Sequence, residues 1–274
     1  MEEADFVSGG TRLFGIVGDP IEQVRSPEVF SAAFRRLGRD AILVPIHVRP
    51  DDFDVCVPSL LKVQNLDGLV FTIPYKARAC GLATTLGAQA RVVGAINALG
   101  RDRAGRWRGE IFDGIGCVEA FRRRGITFAD RRVVLIGAGG AGSAIGVAVA
   151  AERPRAIRLF DRDQARAEGL AKRIAEVDPR IEVAVAPPAI DDADILLNAT
   201  PVGMLSDSGI PVAARHLPER LVVFDAIVKP ERTGLLALAQ TCGCTTVFGR
   251  EMMAGQIEKM VEFFLEPPAG INAA

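Results

Sequence analysis

Histidine is nearly missing from this chain: among 274 residues there are 2, His47 and His216. No group of Cys and His with metal-ligand spacing surrounds either of them. That speaks against a zinc centre and against a histidine-based catalytic dyad. His47, inside the apolar run 42-ILVPIHV-48, reads as a strand residue near the surface. Cysteine is sparse and odd in number, 5 in all. A disulfide framework is therefore not expected, and the chain reads as a reduced, cytoplasmic protein. No apolar stretch approaches the roughly 18–20 residues that cross a bilayer, so no membrane association is expected. The opening segment MEEADFVSGGTR lacks the basic and apolar regions of a secretory leader. A formal net charge of -1 gives no global drive toward nucleic acid or anionic lipid. The local basic run 121-FRRRG-125 reads as a solvated helix end. No internal repeat or low-complexity tract is visible.

What is present is a regular alternation of apolar runs and helical patterns. About half of the residues, 49%, are hydrophobic and 24% are charged, as in an ordinary globular protein of one large or two medium domains. Strands are expected at 13–18, 42–48, 68–73, 133–137, 156–161, 181–186, 194–199, 221–227 and 245–249. Helices are expected at 27–37, 51–63, 114–124, 141–152, 163–176, 233–242 and 251–265, with start signals at Ser26-Pro27 and Asp163. The rhythm is that of βαβ units around a mostly parallel sheet, an α/β fold. Two blocks separate. Residues 1–113 with 250–274 form one domain, and 114–249 form a doubly wound dinucleotide-binding domain of Rossmann type.

The cofactor signal lies in 133-VVLIGAGGAGSAIGVAV-149, which runs strand, glycine turn, helix. Gly137, Gly139 and Gly142 fit G-x-G-x-x-G. The first permits the tight turn, the second lets backbone approach a pyrophosphate, and the third lets helix pack on strand. Ala138, Gly140 and Ala141 complete the loop, and the helix start offers N–H groups and a positive dipole end to phosphate. The next strand ends in Asp161, near the spacing of a ribose-binding carboxylate. An acid there accepts hydrogen bonds from a ribose 2′-hydroxyl and repels a 2′-phosphate. Arg162 and Arg166 pull toward phosphate. The acid sits at the strand end itself, so NAD is favoured over NADP.

A second segment poses a chemical problem. In 67-DGLVFTIPYKARA-79 the stretch Leu69–Ile73 reads as a buried strand, followed closely by Lys76. An ammonium group at the end of a buried strand is costly unless it reaches water or a partner. Further on, Asp113 opens a helical pattern and reads by itself as an N-cap.

These segments stand among others in a recognisable order: 18-GDPIEQVRSPEVF-30, 68-GLVFTIPYK-76, 94-GAINAL-99, 109-GEIFDGIG-116, 137-GAGGAGSA-144, 198-NATPVGM-204, 223-VFDAIVKPERT-233 and 249-GREMMAGQ-256. Together they make the chain resemble the shikimate/quinate dehydrogenase family over nearly its whole length. The resemblance implies a substrate domain completed by the last helix, a dinucleotide domain, and hydride exchange between a ring carbon bearing a hydroxyl and a nicotinamide. It places the catalytic pair at Lys76 and Asp113. It places substrate contacts at Ser26, Thr72, Asn97 and Gln256. Further cofactor contacts fall on Thr200, Pro201, Val202, Gly203, Met204, Ala226, Gly249 and Met252. A lysine serves as the proton acceptor if its surroundings lower its pKa toward the working pH.

The departures from the family pattern thin out polar groups. Val24 replaces a carboxylate-binding serine, Val228 a tyrosine and Val70 an asparagine. Ile111 and Phe112 stand where Asn and Thr are usual, and Ala98 stands for Thr. Asp161-Arg162-Asp163 replaces the Asn-Arg-Thr associated with NADP. Each lost hydrogen bond to a charged group weakens binding by about 1.5–3 kcal/mol. The expectation is an NAD-preferring alcohol dehydrogenase for a small cyclic hydroxy acid or a relative of one, poor on shikimate itself. Arg25 is the remaining cation in that segment that could meet a carboxylate. A catalytically idle dinucleotide-binding regulatory protein and a folate-linked dehydrogenase are the competing readings. The only protein partner left open is a second copy in a homodimer.

Overall fold

The computed structural model describes residues 7–213 and 215–265. The chain divides into two compact units. Unit 1 holds the residues up to Phe112 and those from Ile257 onward, and unit 2 spans Asp113–Gln256.

Unit 1 is built on strands β1 (Arg12–Gly18), β2 (Ala41–His47), β3 (Leu66–Phe71), β4 (Thr85–Leu86), β5 (Ala98–Arg101) and β6 (Trp107–Glu110). Their order is β2-β1-β3-β5-β6-β4. The first three run parallel. β5 then lies antiparallel to β3, and β6 antiparallel to β5. β4 is parallel to β6, so the sheet is mostly parallel, as expected, with β5 running against the other five strands. The short strands β4–β6 were not expected. Gly100 and Gly109 interrupt their apolar signal, and each has little room for a side chain: a Cβ on Gly109 would meet Ala83 and Ile96 at 3.0 Å.

Helix α1 (Ser26–Arg36) buries Phe30, Ala33 and Phe34, the i, i+3, i+4 stripe of an amphipathic helix. Its N-cap is Arg25, with no side-chain cap bond, and Pro27 occupies the first turn. Ser26 is thus inside the helix, which corrects its reading as the cap. α2 (Phe53–Leu60) follows a 3-10 turn at Pro50–Asp52 and is shorter than expected; a six-residue α3 (Ala88–Val93) was missed. Phe14 packs against Phe34 and Phe264 with ring centroids 4.7 and 5.1 Å away. Fully burying such a ring contributes about 1.5–3 kcal/mol.

Unit 2 starts with α4 (Asp113–Arg123) and continues β7 (Arg132–Ile136), α5 (Gly140–Ala151), β8 (Ala156–Phe160), α6 (Gln164–Val177), β9 (Glu182–Val185), β10 (Ile195–Asn198), β11 (Val222–Asp225), α7 (Gly234–Thr241) and β12 (Thr245–Phe248). The last helix, α8 (Gly249–Leu265), begins in unit 2 and ends in unit 1. All six strands are parallel, in the order β12-β11-β10-β7-β8-β9. This is the doubly wound arrangement, with the first strand of each half at the centre and a switch point between β7 and β10. As expected, Asp163 caps α6, its carboxylate accepting from Arg166 N at 3.3 Å. α5 consists of small residues and is buried almost all round. α4 reaches it through Gly114, where a Cβ would lie 2.1 Å from the Ala144 carbonyl oxygen. The basic run at the end of α4 is solvated and paired: Arg122 and Arg123 meet Glu119 at 2.8 Å, and Arg124 meets Glu251 at 2.7 Å.

Candidate active site

In unit 1 the candidate residues gather where β1 and β3 end. Lys76 does not extend a buried strand. β3 stops at Phe71, Ile73 is 60% exposed, and the chain turns before Lys76, which is half-buried. The extrapolation of the apolar run to Ile73 is thereby corrected. Tyr75, fully buried, fixes this turn. Its ring stacks on Phe53 at 4.6 Å, its hydroxyl donates to the Val48 carbonyl, and its N–H donates to Thr72 O at 2.9 Å. Burial pushes the Tyr75 phenol up, with the negative charges of Asp19, Asp52 and Asp51 adding to it. A buried anchor therefore presents an adjacent half-buried ammonium.

Asn97 is held beside this turn. The Ile96 N–H donates to the Lys76 carbonyl at 2.8 Å. Asn97 is 1% exposed, and its Oδ1 accepts from Phe112 N at 2.9 Å. Its backbone bonds Phe71 and Glu110. The Glu110 carboxylate accepts from Ala90 N and Ile111 N, both at 2.8 Å, and so joins α3 to the strand that leads to Asp113. Burial raises the Glu110 pKa against these donors. Thr72 packs its methyl over Gly18, where a Cβ would stand 2.4 Å from Thr72 Cγ2. Ser26 is half-buried at the start of α1. The neighbouring Arg25 pairs with Glu28 on the same helix and is half exposed. His47, at the exposed end of β2 as expected, lies 2.7 Å from Asp19.

The polar-to-apolar departures divide into two kinds. Val70, Ala98, Ile111 and Phe112 are all buried, and the Phe112 ring packs on Phe263 at 5.4 Å. Those four belong to the interior of unit 1. Val24 and Val228 remain half-buried, each in its own unit.

In unit 2, Asp113 is the first residue of α4 and only 5% exposed. Gln256 Nε2 donates to its Oδ1 at 3.3 Å. The two helices meet closely because residue 116 is glycine: a Cβ there would lie 2.5 Å from the Met252 carbonyl. Met252 is buried in this contact.

The glycine loop has the predicted form. Gly137 adopts φ +99, a Cβ on Gly142 would lie 1.9 Å from the Gly137 carbonyl, and the position of a Cβ on Gly139 is open. Gly139 is the N-cap of α5 and supplies no side-chain bond, so the first-turn N–H groups are left for water or a ligand. The loop fits a dinucleotide pyrophosphate. Asp161 stands beside it: Oδ2 accepts from Ala138 N at 2.7 Å and Oδ1 from Asp163 N at 2.9 Å. Each carboxylate oxygen retains a second acceptor site. Arg166 is bridged to Asp163 at 3.1 Å. Arg162 is exposed and contributes to holding Asp207 below the usual carboxylate range, behind the larger effect of the Gly209 and Gly203 N–H groups.

At the ends of β10, β11 and β12 lie Thr200, Pro201, Val202, Gly203, Met204, Ala226 and Gly249. Gly249 allows a close crossing, since a Cβ would be 2.4 Å from the Ile227 carbonyl. Beneath them is a buried polar group that sequence reasoning missed. Asn198, Asp225 and Thr233 are at most 1% exposed and bonded in series. The available signal was a polar residue closing each apolar strand, in 195-ILLN-198 and 222-VVFD-225.

A parallel sheet wound in this order, with a glycine cradle and a carboxylate at the end of the second strand, defines a dinucleotide-binding unit. Comparison with known proteins gives the family. Residues 16–99 match the shikimate dehydrogenase substrate binding domain, and residues 119–209 match shikimate / quinate 5-dehydrogenase. A shikimate dehydrogenase (NADP(+)) of Methanobrevibacter smithii is 33% identical over 97% of this chain and 95% of its own length. Among solved structures, shikimate 5-dehydrogenase from Listeria monocytogenes in complex with shikimate and NAD aligns at TM-score 0.86 and 28% identity, over 96% of this chain and 95% of that one. The ligand-free 5-ketofructose reductase of Gluconobacter sp. strain CHM43 aligns at TM-score 0.82 and 27% identity, over 93% of both chains. The chain belongs to the shikimate dehydrogenase family and is an NAD(P)-dependent oxidoreductase. Among the described residues no helix is long and apolar enough to cross a membrane, and no group of metal-binding side chains occurs.

Proposed function

We propose that this chain is an NAD-preferring alcohol dehydrogenase acting on a small polyhydroxylated, shikimate- or quinate-like substrate, and that it uses shikimate itself poorly. The observation that carries the cofactor part is Asp161, fixed by Ala138 N at 2.7 Å at the end of β8. A carboxylate there accepts from a ribose 2′-hydroxyl and repels a 2′-phosphate. Arg166 is already bridged to Asp163, which weakens the case for a phosphate clamp.

The substrate part rests on what surrounds Ser26. Val24 offers a carboxylate no hydrogen bond, and Arg25 is turned to Glu28. A relative of this fold is named for 5-ketofructose, a keto-sugar without a carboxylate, which supports a pocket that does not require one. In this reading Lys76 Nζ takes the hydroxyl proton, with Asp113 as its carboxylate partner. Asn97 and Thr72 orient the hydroxyls, and Gln256 steadies Asp113. The nicotinamide cofactor, when bound, supplies the hydride acceptor. Ser26, Thr72, Asn97 and Gln256 thus serve binding, and the loop residues 137–142, 161, 200–204, 226, 249 and 252 serve the cofactor.

Initial rates with shikimate, quinate and neutral cyclic polyols, each with NAD and with NADP, test both parts. A higher kcat/KM with NADP sinks the cofactor assignment. Shikimate turnover with a low Michaelis constant sinks the substrate assignment.

A further inference from the structure

The exit of β6 is held by side chains rather than by a neighbouring strand. β6 ends at Glu110, and the next two residues, Ile111 and Phe112, are 1% and 6% exposed. Their N–H groups lie past the end of the strand and need partners inside the fold. Ile111 N donates to Glu110 Oε1 at 2.8 Å, and Phe112 N donates to Asn97 Oδ1 at 2.9 Å. Asn97 is tied to the same segment through its backbone, its N–H donating to the Glu110 carbonyl at 3.0 Å. All of these residues belong to unit 1.

The Glu110 carboxyl is also held from α3. The N-cap of that helix is Gly87, which supplies no side-chain bond. The N–H of Ala90, which a cap would take, donates to Glu110 Oε1 at 2.8 Å instead. Glycine at residue 87 leaves room for this: a Cβ there would lie 1.7 Å from Glu110 Oε2. Oε1 thus serves two N–H groups, and it accepts them whether the carboxyl is ionised or carries a proton on Oε2. The arrangement needs an oxygen acceptor and no particular charge.

Only the φ and ψ of Ile111, a buried residue, separate the Ile111 N–H from the Phe112 N–H. Holding the first therefore limits where the second can point. The Phe112 N–H can only donate, so it fixes the Asn97 amide with its oxygen toward Phe112 and its nitrogen turned the other way. An amide nitrogen is a donor, suited to the oxygen of a hydroxyl or keto group.

We propose that Glu110 is a positioning residue for substrate binding: it orients the Ile111–Phe112 backbone, which holds the Asn97 amide in the orientation that meets the substrate. In that role it acts through Asn97 and not on the substrate. The inference rests on the reading of Asn97 as a substrate contact.

A Glu110 that only supports the fold would lower stability and leave substrate binding alone, so the readout is kinetic. KM and kcat are measured on the full chain with whichever of quinate and shikimate, with NAD or NADP, the unaltered chain turns over faster. The variants are Asn97→Ala, Glu110→Ala and Gly87→Ala, and the latter two each combined with Asn97→Ala. Gly87→Ala displaces the carboxyl by its added Cβ, and at φ -68 it strains no backbone. Each single substitution should raise KM by about three- to tenfold, with kcat changed less. Glu110→Ala and Gly87→Ala should add nothing once Asn97 is replaced, because residues acting through one contact are not additive. If Asn97→Ala raises KM while the other two leave it unchanged, or if their effects multiply with that of Asn97→Ala, the inference falls and the reading of Asn97 stands. If Asn97→Ala leaves KM unchanged, or the unaltered chain turns over neither substrate with either cofactor, that reading falls and the inference with it. Should Glu110→Ala fail to fold, Gly87→Ala decides.

Discussion

Gly142 stands directly beneath Gly137: a Cβ on the former would lie 1.9 Å from the carbonyl oxygen of the latter. That oxygen is backbone and cannot rotate away. Gly142→Ala should therefore shift the loop that the first turn of α5 depends on. Overpacking of this kind costs about 1–3 kcal/mol. A lowered thermal midpoint together with weaker NADH binding is the expected outcome, read by calorimetry and titration.

Lys76→Ala should lower kcat by about a hundred- to ten-thousandfold, the usual contribution of a general base. Cofactor affinity should not change, because Lys76 belongs to unit 1 and the glycine cradle to unit 2. Single-turnover rates beside NADH titration make the distinction. A variant with unaltered turnover removes Lys76 from the mechanism.

Asp161→Asn exchanges one acceptor oxygen for a donor. NAD binding should weaken by about ten- to a hundredfold, since hydrogen bonds to a charged group contribute about 1.5–3 kcal/mol. NADP should gain relative to NAD. The ratio of the two kcat/KM values is the measurement.

Acid stability has a specific source in α4. The hydrogen bonds from Arg122 and Arg123 hold the Glu119 carboxyl at about 2, below its ordinary 4.5. A carboxylate lowered on folding adds stability that is complete above about 4.5 and is lost as pH falls toward 2. Glu119→Gln should be less stable than the unaltered chain at pH 6, and the difference should close as the pH approaches 2. Urea midpoints across that range test the sign.

Phe264→Ala should destabilise unit 1 by about 3–5 kcal/mol, the cost of truncating a buried ring. The ring is 8% exposed, packs on Phe14 at 5.1 Å and fills the notch over Gly68. Circular-dichroism melts would show it.

Legibility in the sequence followed signal length. Unit 2 could be read almost element by element, because its strands are continuous apolar runs and its glycine turn has a fixed physical meaning. Asp163 announced its own helix. In unit 1 the β5–β6 pair was invisible: 98-ALGR-101 and 107-WRGE-110 are short and carry glycine and charge where alternation would be sought. Ser26 looked like a cap, but Arg25 takes that place because the helix starts one residue earlier. The cofactor cradle was legible from its own pattern, whereas the catalytic and substrate positions were legible only through the family resemblance. Lysine, asparagine and aspartate have ordinary structural uses, and nothing local distinguishes Asn97 from a turn residue. The Asn198–Asp225–Thr233 group escaped because its members lie 27 and 8 residues apart and meet only through the sheet.

The route of α8 bears on how the protein is made. The ring that occupies the hollow above Gly68 belongs to residue 264, so the residues of β1 and β3 are synthesised long before their lid. The intervening Asp113–Gln256 segment is complete before that ring exists. During translation, then, the second unit has all of its own residues before the first does, and the first cannot close its aromatic core until residue 264 is made.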